Sequence, residues 1–251
     1  MRKRRSATPM EEIPSIVPKS STRTQKIKLE HLKQIKPKTD SQVEAFQEYC
    51  QNQNLVLTGY PGVGKSYISL YLALKDILTG GSGYDKIIIC RSARATIDLG
   101  ALPGDLDLKL QIFEQPYKDI VNDLIKVDNA YEQMRNNGII EFHSTSYLRS
   151  LTWNNAIIIF DEASSATMHE IDSVITRCGV TDDGTPSKFI ICGDHTGQCD
   201  ITSRFEKSGY HDMLKILDQI QEFSTITFKE SDIVRSQLVK SWIINKIKLG
   251  I

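Results

Sequence analysis

A glycine-rich stretch carries the clearest chemistry in this sequence of 251 residues. Residues 59–66 read Gly-Tyr-Pro-Gly-Val-Gly-Lys-Ser, a complete G-x-x-x-x-G-K-[ST] phosphate-binding loop. The backbone N–H groups of such a loop converge on phosphate oxygens, its lysine bridges the β- and γ-phosphates, and its serine ligates Mg²⁺. The alternative is a glycine turn with a chance lysine. An apolar run precedes the motif and a helical pattern follows it, which favours the phosphate loop.

We therefore expect ATP and Mg²⁺ as cofactors. Lys65 is predicted to take part in catalysis as well as in binding, and Ser66 is predicted to hold the metal as well as the nucleotide. The predicted nucleotide-binding residues of this segment are Gly59, Tyr60, Pro61, Gly62, Val63, Gly64, Lys65, Ser66 and Tyr67.

Two acids follow the apolar run 156–160 directly. Asp161 ends a predicted buried strand at the sheet edge that also carries the phosphate loop, where it can hold Mg²⁺ through water. Glu162 is placed one residue further on to polarise the attacking water as a general base. The alternative for Asp161 is a helix cap, a position that aspartate often takes.

Two glutamines are weaker candidates. Gln198 lies in a polar loop after the apolar run 188–192, where its amide can contact the γ-phosphate or its water; the alternative is an ordinary turn. Gln42 comes just before the strand that leads into the phosphate loop, and its amide can form two hydrogen bonds to an adenine edge. The segment around Gln42 is also typical of a plain helix cap.

Apolar runs alternate with helical patterns from residue 40 onwards. The runs are continuous rather than alternating in polarity, which indicates strands buried on both faces, and strands that alternate with helices indicate a parallel α/β sheet. The predicted strands are 55–58, 86–90, 139–142, 156–160, 188–192 and 225–228. The predicted helices are 65–78, 105–136, 167–178, 209–221 and 232–247.

The charge is unevenly distributed, although 31 basic and 31 acidic residues balance over the chain. Residues 1–40 carry 11 Lys and Arg against 4 Asp and Glu, and the rest carries 20 against 27. A basic arm on an acidic body favours a polyanionic partner, nucleic acid first, although a solvated tail without a specific role is the alternative. Residues 1–38 have few large apolar groups, so we expect a mostly disordered arm, with some order beginning near 27–35.

No apolar run approaches the roughly 20 residues that a membrane span needs, and the basic start lacks an apolar signal segment. We therefore expect no membrane partner and a cytoplasmic location. The five cysteines form no C-x-x-C pair, which favours reduced thiols over a zinc site.

Several segments together resemble the PhoH family of phosphate-starvation-type ATPases. They are the phosphate loop, Arg91, the segments 100–110, 151–163, 175–179 and 232–236, and Gly193-Asp194 with Gln198. The resemblance covers about residues 38–247, and the short length and basic arm are similar to phage-encoded members, which would place the protein in a host cytoplasm. It implies a RecA-like P-loop NTPase fold, a mainly parallel sheet sandwiched by helices, similar to the first ATPase domain of superfamily 1 helicases.

In those helicases one glutamine reads adenine, a Gly-Asp-x-x-Gln motif couples ATP to nucleic acid, and an Arg-Ser motif touches the γ-phosphate. The resemblance assigns these roles to Gln42, Gln198 and Arg235. This sequence departs from the family by one extra residue before Gln198 and by Ser92 where the family usually has proline. We expect no second ATPase lobe, so the resemblance implies that a neighbouring subunit closes the site, as in a homo-oligomer such as a hexameric ring.

The sequence thus predicts an arm at 1–38 and one ATPase domain at 39–251, with the strand before Gly193 between the strands of the phosphate loop and Asp161. The predicted function is Mg²⁺-dependent ATP hydrolysis coupled to single-stranded RNA or DNA. Two alternatives remain, a non-catalytic nucleotide-dependent switch and a phosphotransferase. For Arg235 the alternative to a γ-phosphate contact is a surface pair with Asp232.

Overall fold

The computed structural model of the protein describes residues 26–92, 106–145, 148, 152–194 and 207–249. The predictions for residues 1–25, for the loop that contains Gln198 and for segment 100–105 lie outside the described residues. All six predicted strands are present. They are β1 (Asn54–Gly59), β2 (Lys86–Arg91), β3 (Ile140–Ser144), β4 (Ala156–Asp161), β5 (Lys188–Gly193) and β6 (Phe223–Phe228).

The six strands form one sheet in the order β3-β2-β4-β5-β1-β6, and every pairing is parallel. Strand β5 lies between the strand that leads into the phosphate loop and the strand that ends at Asp161. The predicted RecA-like α/β fold is confirmed, and so is the predicted place of β5. Because parallel strands end at the same edge, this order gathers the phosphate loop, Asp161 and Gly193 at one edge of the sheet.

Helices cover both faces of the sheet. Along β1, Leu55 and Leu57 face one apolar cluster and Val56 faces the other, and the three side chains are fully buried. This alternation within a continuous apolar run is what a strand buried on both faces requires. The α-helices of the described residues are α1 (Asp40–Cys50), α2 (Lys65–Thr79), α3 (Leu106–Leu124), α4 (Ala130–Asn136), α5 (Met168–Ile175), α6 (Tyr210–Leu217) and α7 (Gln237–Lys248).

The first cluster packs α1 to α4 against one face of the sheet, and the second packs α5 and α6 against the other. None of the helices in the described ranges has the length and apolar character needed to span a membrane.

Several boundaries differ from the predicted ones, among them the end of the helix predicted for 209–221, which is at Leu217. The single helix predicted for 105–136 is two helices: α3 ends at Leu124, and α4 begins after its N-cap Asn129, which adopts a left-handed backbone with φ 53°. Asparagine tolerates this conformation better than most residues. The predicted start of the last helix at 232 also moves to Gln237, because Ser236 caps the helix and accepts a hydrogen bond from the N–H of Val239.

The described end of the predicted arm, residues 26–38, packs on the domain and is not disordered. Leu32 is 3% exposed and joins the core that contains α3. The backbone N–H of Lys33 donates to the carbonyl of Leu124, and that of Lys126 donates to the carbonyl of His31. Ile27, Leu29 and Ile35 pack against the same core, and together with these backbone bonds they give the order that was expected to begin near 27–35.

Candidate functional site

A cleft of about 950 Å³ opens at the carboxyl edge of the sheet. It brings together nine residues that the sequence singled out from three separate segments. They are Pro61, Gly62, Gly64, Lys65, Ser66, Tyr67, Asp161, Glu162 and Arg235. Among the other described residues that line the cleft, Arg91 and Asp194 had been named only for the family resemblance, and Tyr117 and Lys246 had not been named.

The phosphate loop connects β1 to α2 in the strand–loop–helix arrangement that its motif requires. Gly62 and Gly64 have φ angles of 80° and 88°, which residues with a side chain rarely adopt. Gly64 is the N-cap of α2, so the loop runs straight into the first turn of the helix. The N–H groups of that turn have no partner within the helix, which makes the loop suited to bind an anion.

Lys65 is the first residue of α2 and reaches back over the loop. Its ammonium donates hydrogen bonds to the carbonyls of Gly59, at 2.8 Å, and Tyr60, at 2.9 Å. Gly59 and Tyr60 themselves do not appear among the residues that line the cleft, and neither does the fully buried Val63. Lys65 thus places a cation inside the cleft, held by backbone oxygens of the loop itself.

Asp161 is buried, with 5% of its surface exposed, and its carboxylate is held by two donors. Oδ1 accepts a hydrogen bond from the backbone N–H of Glu162, and Oδ2 accepts one from the Tyr117 hydroxyl, both at 3.0 Å. The side chain does not cap a helix: Glu162 is the N-cap of the 3-10 turn that follows, and Thr167 caps α5. The cap alternative for Asp161 therefore has no support in the structure.

Glu162 combines exposure to the cleft with an unusual backbone. Its φ of 52° and ψ of 38° are left-handed, which is uncommon for a residue with a side chain. Strained backbone of this kind costs about 1–3 kcal/mol and concentrates at functional sites. Here the turn carries the chain from β4 into the 3-10 helix while the half-buried Glu162 lines the cleft.

Arg235 lies against the phosphate loop. The backbone N–H of Val234 donates to the carbonyl of Gly62 at 3.1 Å, and a Cβ atom added to Gly62 would lie 2.9 Å from Arg235 Cγ. The predicted alternative partner, Asp232, is occupied elsewhere. Its Oδ2 accepts hydrogen bonds from the Ser41 hydroxyl at 2.8 Å and from the Lys229 N–H at 2.7 Å. The surface-pair alternative is thus not what the structure contains.

Gln42 is 4% exposed and does not itself line the cleft, although its Nε2 would lie 3.5 Å from a Cβ atom built on Gly64. Its Oε1 accepts a hydrogen bond from the Lys38 N–H at 2.8 Å, and its Nε2 donates to the Val63 carbonyl at 2.9 Å. Both ends of the amide are bonded to backbone groups, so Gln42 braces the loop. Its contact with adenine stays a prediction.

Arg91 and Tyr117 line the cleft together with the two acids. The sequence alone did not place either residue there. The Arg91 guanidinium lies 5.5 Å from the centre of the Phe113 ring. Burial lowers the pKa of Arg91, but Tyr117, Glu162 and Asp161 outweigh it and raise the pKa above its usual value. Burial, and then Asp161, raise the pKa of Tyr117 well above its usual value, so its hydroxyl stays a neutral donor.

Pro116 precedes Tyr117 inside the same helix, where proline removes a backbone hydrogen bond, but no sequence signal links Tyr117 to Asp161. Among the described residues, no group of three or more His, Cys, Asp or Glu side chains is placed to hold a metal ion. A cation in this cleft would therefore depend on few protein ligands together with phosphate, as Mg²⁺ commonly does.

The chain is similar to several known proteins. Residues 34–248 match the PhoH family, described as PhoH-like protein. The PhoH-like protein of Bacillus subtilis (strain 168) is 33% identical over 208 residues, which are 82% of this chain and 62% of that protein. The PhoH-like protein of Synechocystis sp. is 30% identical over 82% of this chain and 60% of its own length.

Protein PhoH of Escherichia coli (strain K12) is 29% identical over 80% of this chain and 55% of that protein. The chain thus spans between 55% and 62% of the length of these three relatives. A solved structure, the large terminase of a thermophilic bacteriophage in complex with ADP, aligns with a TM-score of 0.44 and 14% identity, over 81% of this chain and 48% of that one. Because the family match extends over most of the sequence, the chain belongs to the PhoH family.

Proposed function

We propose that the protein binds ATP with Mg²⁺ in this cleft and hydrolyses it. The observation that carries the proposal is the meeting of the phosphate loop with Asp161 and Glu162 at one sheet edge, in a cleft of about 950 Å³. These residues come from β1 and β4, about 100 positions apart in the sequence. Membership of the PhoH family supports the same function, since the matched region contains the loop and both acids.

The phosphates are bound by the loop and by the start of α2. Loop N–H groups and the Gly64 N-cap face the triphosphate, whose charge the Lys65 ammonium offsets by exchanging the Gly59 and Tyr60 carbonyls for phosphate oxygens. Both hydrogen bonds that the ammonium gives up are only partly buried, and the phosphate oxygens replace the two carbonyls as its acceptors.

Ser66 and Asp161 would hold Mg²⁺. Both side chains line the cleft, and a hydroxyl and a carboxylate are oxygen ligands of the kind that Mg²⁺ prefers. Bound there, the metal neutralises charge on the phosphate oxygens. Asp161 is suited to this task because its carboxylate is buried and already oriented by two hydrogen bonds.

Glu162 accepts the proton of the attacking water. Glu162 is half-buried and follows the last residue of β4, Asp161, which is the proposed metal-binding acid. The left-handed backbone at Glu162 turns the chain so that consecutive acids both reach the cleft. A base in that place activates the water that attacks the γ-phosphate.

Arg235 stabilises the γ-phosphate during hydrolysis. Its side chain passes over Gly62, and guanidinium groups make forked contacts with phosphate oxygens as their charge shifts. Whether it serves the ATP of its own subunit or that of a neighbour depends on the proposed oligomer, a hexameric ring.

We also propose that hydrolysis is coupled to single-stranded RNA or DNA. The support is the basic character of residues 1–40, with an excess of seven positive charges, and the family resemblance. The chain spans only part of the length of its relatives. A helicase-like action and a hexameric ring are therefore proposed from the family resemblance alone.

The testing experiment measures ATP binding and steady-state hydrolysis by the full chain, with Mg²⁺ or with EDTA, alone and with single-stranded RNA, single-stranded DNA or duplexes. We expect Mg²⁺-dependent turnover that one of the single strands raises. Binding without turnover under all conditions would favour the nucleotide-dependent switch. Turnover that no nucleic acid changes would reject the coupling but keep the ATPase.

A further inference from the structure

Tyr117 lies at the centre of the candidate site without a part in the chemistry proposed so far. Its hydroxyl donates to Asp161 Oδ2 at 3.0 Å, across 44 positions of sequence. The side chain is 1% exposed and yet reaches the cleft wall, so the hydrogen bond is protected from water. A hydrogen bond to a carboxylate is stronger than one between neutral groups, and shielding strengthens it further.

The two hydrogen bonds of Asp161 divide the work of orienting it. The Glu162 N–H fixes Oδ1 relative to the backbone, and the Tyr117 hydroxyl fixes Oδ2. With one donor on each oxygen the carboxylate cannot rotate about its terminal bond without losing a contact. Each oxygen keeps a second lone pair, so the carboxylate remains able to accept a water molecule that ligates a metal.

The helix that carries Tyr117 is fastened close to the nucleotide cleft. Tyr67, the residue after Ser66, donates its hydroxyl to Asp123 Oδ2 at 2.8 Å, which ties α3 to the start of α2. One turn before Tyr117, Phe113 lies under the Arg91 guanidinium at the end of β2. These two contacts, one to α2 and one to β2, fix the position of α3 and therefore that of Tyr117 relative to Asp161.

We propose that Tyr117 is a positioning residue that orients the Asp161 carboxylate for Mg²⁺, so that the metal-dependent part of nucleotide affinity requires its hydroxyl. The inference rests on the proposed function and adds a residue to it. Groups that orient a metal ligand through a hydrogen bond typically change metal affinity by about 10- to 100-fold when they are removed.

The chain supplies a matched control in Tyr131. Its hydroxyl donates to Glu114 Oε1 at 2.7 Å, and both residues are buried, at 0% and 3% exposure. This pair resembles the Tyr117–Asp161 pair in donor, acceptor and burial, although Glu114 also pairs with Arg135, and neither member lines the cleft. Loss of a buried tyrosine–carboxylate hydrogen bond is therefore common to Tyr117→Phe and Tyr131→Phe, and only the first change removes a contact to the proposed metal ligand.

The test measures affinity for a fluorescent, non-hydrolysable ATP analogue, with excess Mg²⁺ and with EDTA, for the wild type and both variants. We expect Tyr117→Phe to reduce the tightening by Mg²⁺ about 10-fold while affinity in EDTA stays unchanged. We expect Tyr131→Phe to keep the full Mg²⁺ effect. A full Mg²⁺ effect in Tyr117→Phe, or equal losses in both variants, would overturn the positioning role.

A double-mutant cycle ties the effect to the carboxylate. In an Asp161→Asn background, Tyr117→Phe should change the Mg²⁺ dependence no further, because the amide has already removed the ligand. A further loss of similar size would mean that Tyr117 acts by another route, against the inference. Failure of the proposed function would look different: the wild type itself would not bind the analogue, or would bind it without any response to Mg²⁺.

Discussion

Each end of the parallel sheet holds a lysine against oxygen acceptors, and the two lysines differ in how deeply they are buried. At the carboxyl end, Lys65 donates to two carbonyls of its own loop inside an open cleft. At the amino end, Lys188 is 4% exposed and donates to the Tyr49 carbonyl and to Asn52 Oδ1, both at 3.1 Å. Its ammonium also lies 3.8 Å from the centre of the Tyr49 ring.

This difference shows which of the two lysine ammonium groups is available to bind a ligand. A ligand could take over the hydrogen bonds of Lys65, which are only partly buried. Those of Lys188 join β5 to α1 and to the turn after it, and breaking the buried one would leave the Tyr49 carbonyl unpaired. We therefore regard the carboxyl end as the functional end and the amino end as a structural one, and changes at the two ends should separate activity from stability.

The largest effect is expected at Arg235. An arginine that contacts the γ-phosphate contributes roughly 10³–10⁵ to the rate in other phosphate-loop enzymes, so Arg235→Ala should lower kcat by a factor in that range. Folding stability should stay within about 0.5 kcal/mol of the wild type, because the side chain is exposed. Steady-state ATPase assays and urea unfolding measure the two quantities.

Arg135 is the control for Arg235. It pairs with Glu114 at 3.2 Å, away from the cleft, and Arg135→Ala should leave kcat unchanged. Normal turnover by Arg235→Ala would show that Arg235 takes no part in hydrolysis.

The next largest effect is expected at Glu162. Glu162→Gln keeps the shape of the side chain but cannot take a proton, so hydrolysis should fall by roughly 10²–10⁴-fold while ATP stays bound. Single-turnover hydrolysis and equilibrium binding distinguish the two steps. Glu132→Gln, which alters an ion pair with Lys118 whose members do not line the cleft, should change neither. Full activity in Glu162→Gln would mean that another group accepts the proton of the attacking water.

The functional end was the more predictable of the two from sequence. Its chemistry is local: the eight residues of the phosphate loop and the consecutive pair Asp161-Glu162 follow buried strands directly. Continuous apolar runs indicated the strands, since a strand that is buried on both faces is apolar at nearly every position. Parallel strands then bring their carboxyl ends together, so the meeting of loop and acids follows from the fold class.

The unpredicted features depend on pairs that are distant in sequence. Tyr117 reaches Asp161, and Lys188 reaches Tyr49 across 139 positions, and no pattern within either segment marks its partner. The packing of Leu32 against α3 was missed for the same reason. Gln42 was found by its position, but the bonds that occupy both ends of its amide depend on where the loop and residue 38 lie.

A crossed pair of alanine substitutions tests the comparison directly. Lys65→Ala should weaken ATP binding on the order of 100-fold, since it removes a charged hydrogen-bond donor to phosphate, with stability nearly unchanged. Lys188→Ala should leave ATP affinity unchanged and lower the free energy of unfolding by about 2–4 kcal/mol, through a cavity and the unpaired Tyr49 carbonyl. Calorimetric titration and denaturant unfolding of both variants provide the data. Loss of ATP binding in Lys188→Ala, or unfolding of Lys65→Ala, would erase the distinction between the two ends.

The smallest effect is a pH dependence of stability that belongs to the amino end. Burial lowers the pKa of Lys188, and the nearby Asp76 only partly offsets it. In the unfolded chain the lysine has its usual pKa of about 10.4, so between the lowered value and this one the unfolded state binds more protons than the folded state. Stability attributable to Lys188 should therefore rise with pH through that window and be flat below it.

Lys188→Met keeps the length of the side chain and removes the charge, so its unfolding free energy should lack this rise. The quantity to measure is the difference in unfolding free energy between the wild type and Lys188→Met, in urea, from about pH 8 to about pH 10. Burial raises the pKa of Tyr49, which opposes the trend at high pH, but the tyrosine is present in both proteins and largely cancels in the difference. The difference should shift in favour of the wild type as pH rises. A difference that stays constant over the range would mean that the ammonium of Lys188 keeps its usual pKa, because its two acceptors and the ring offset the loss of water.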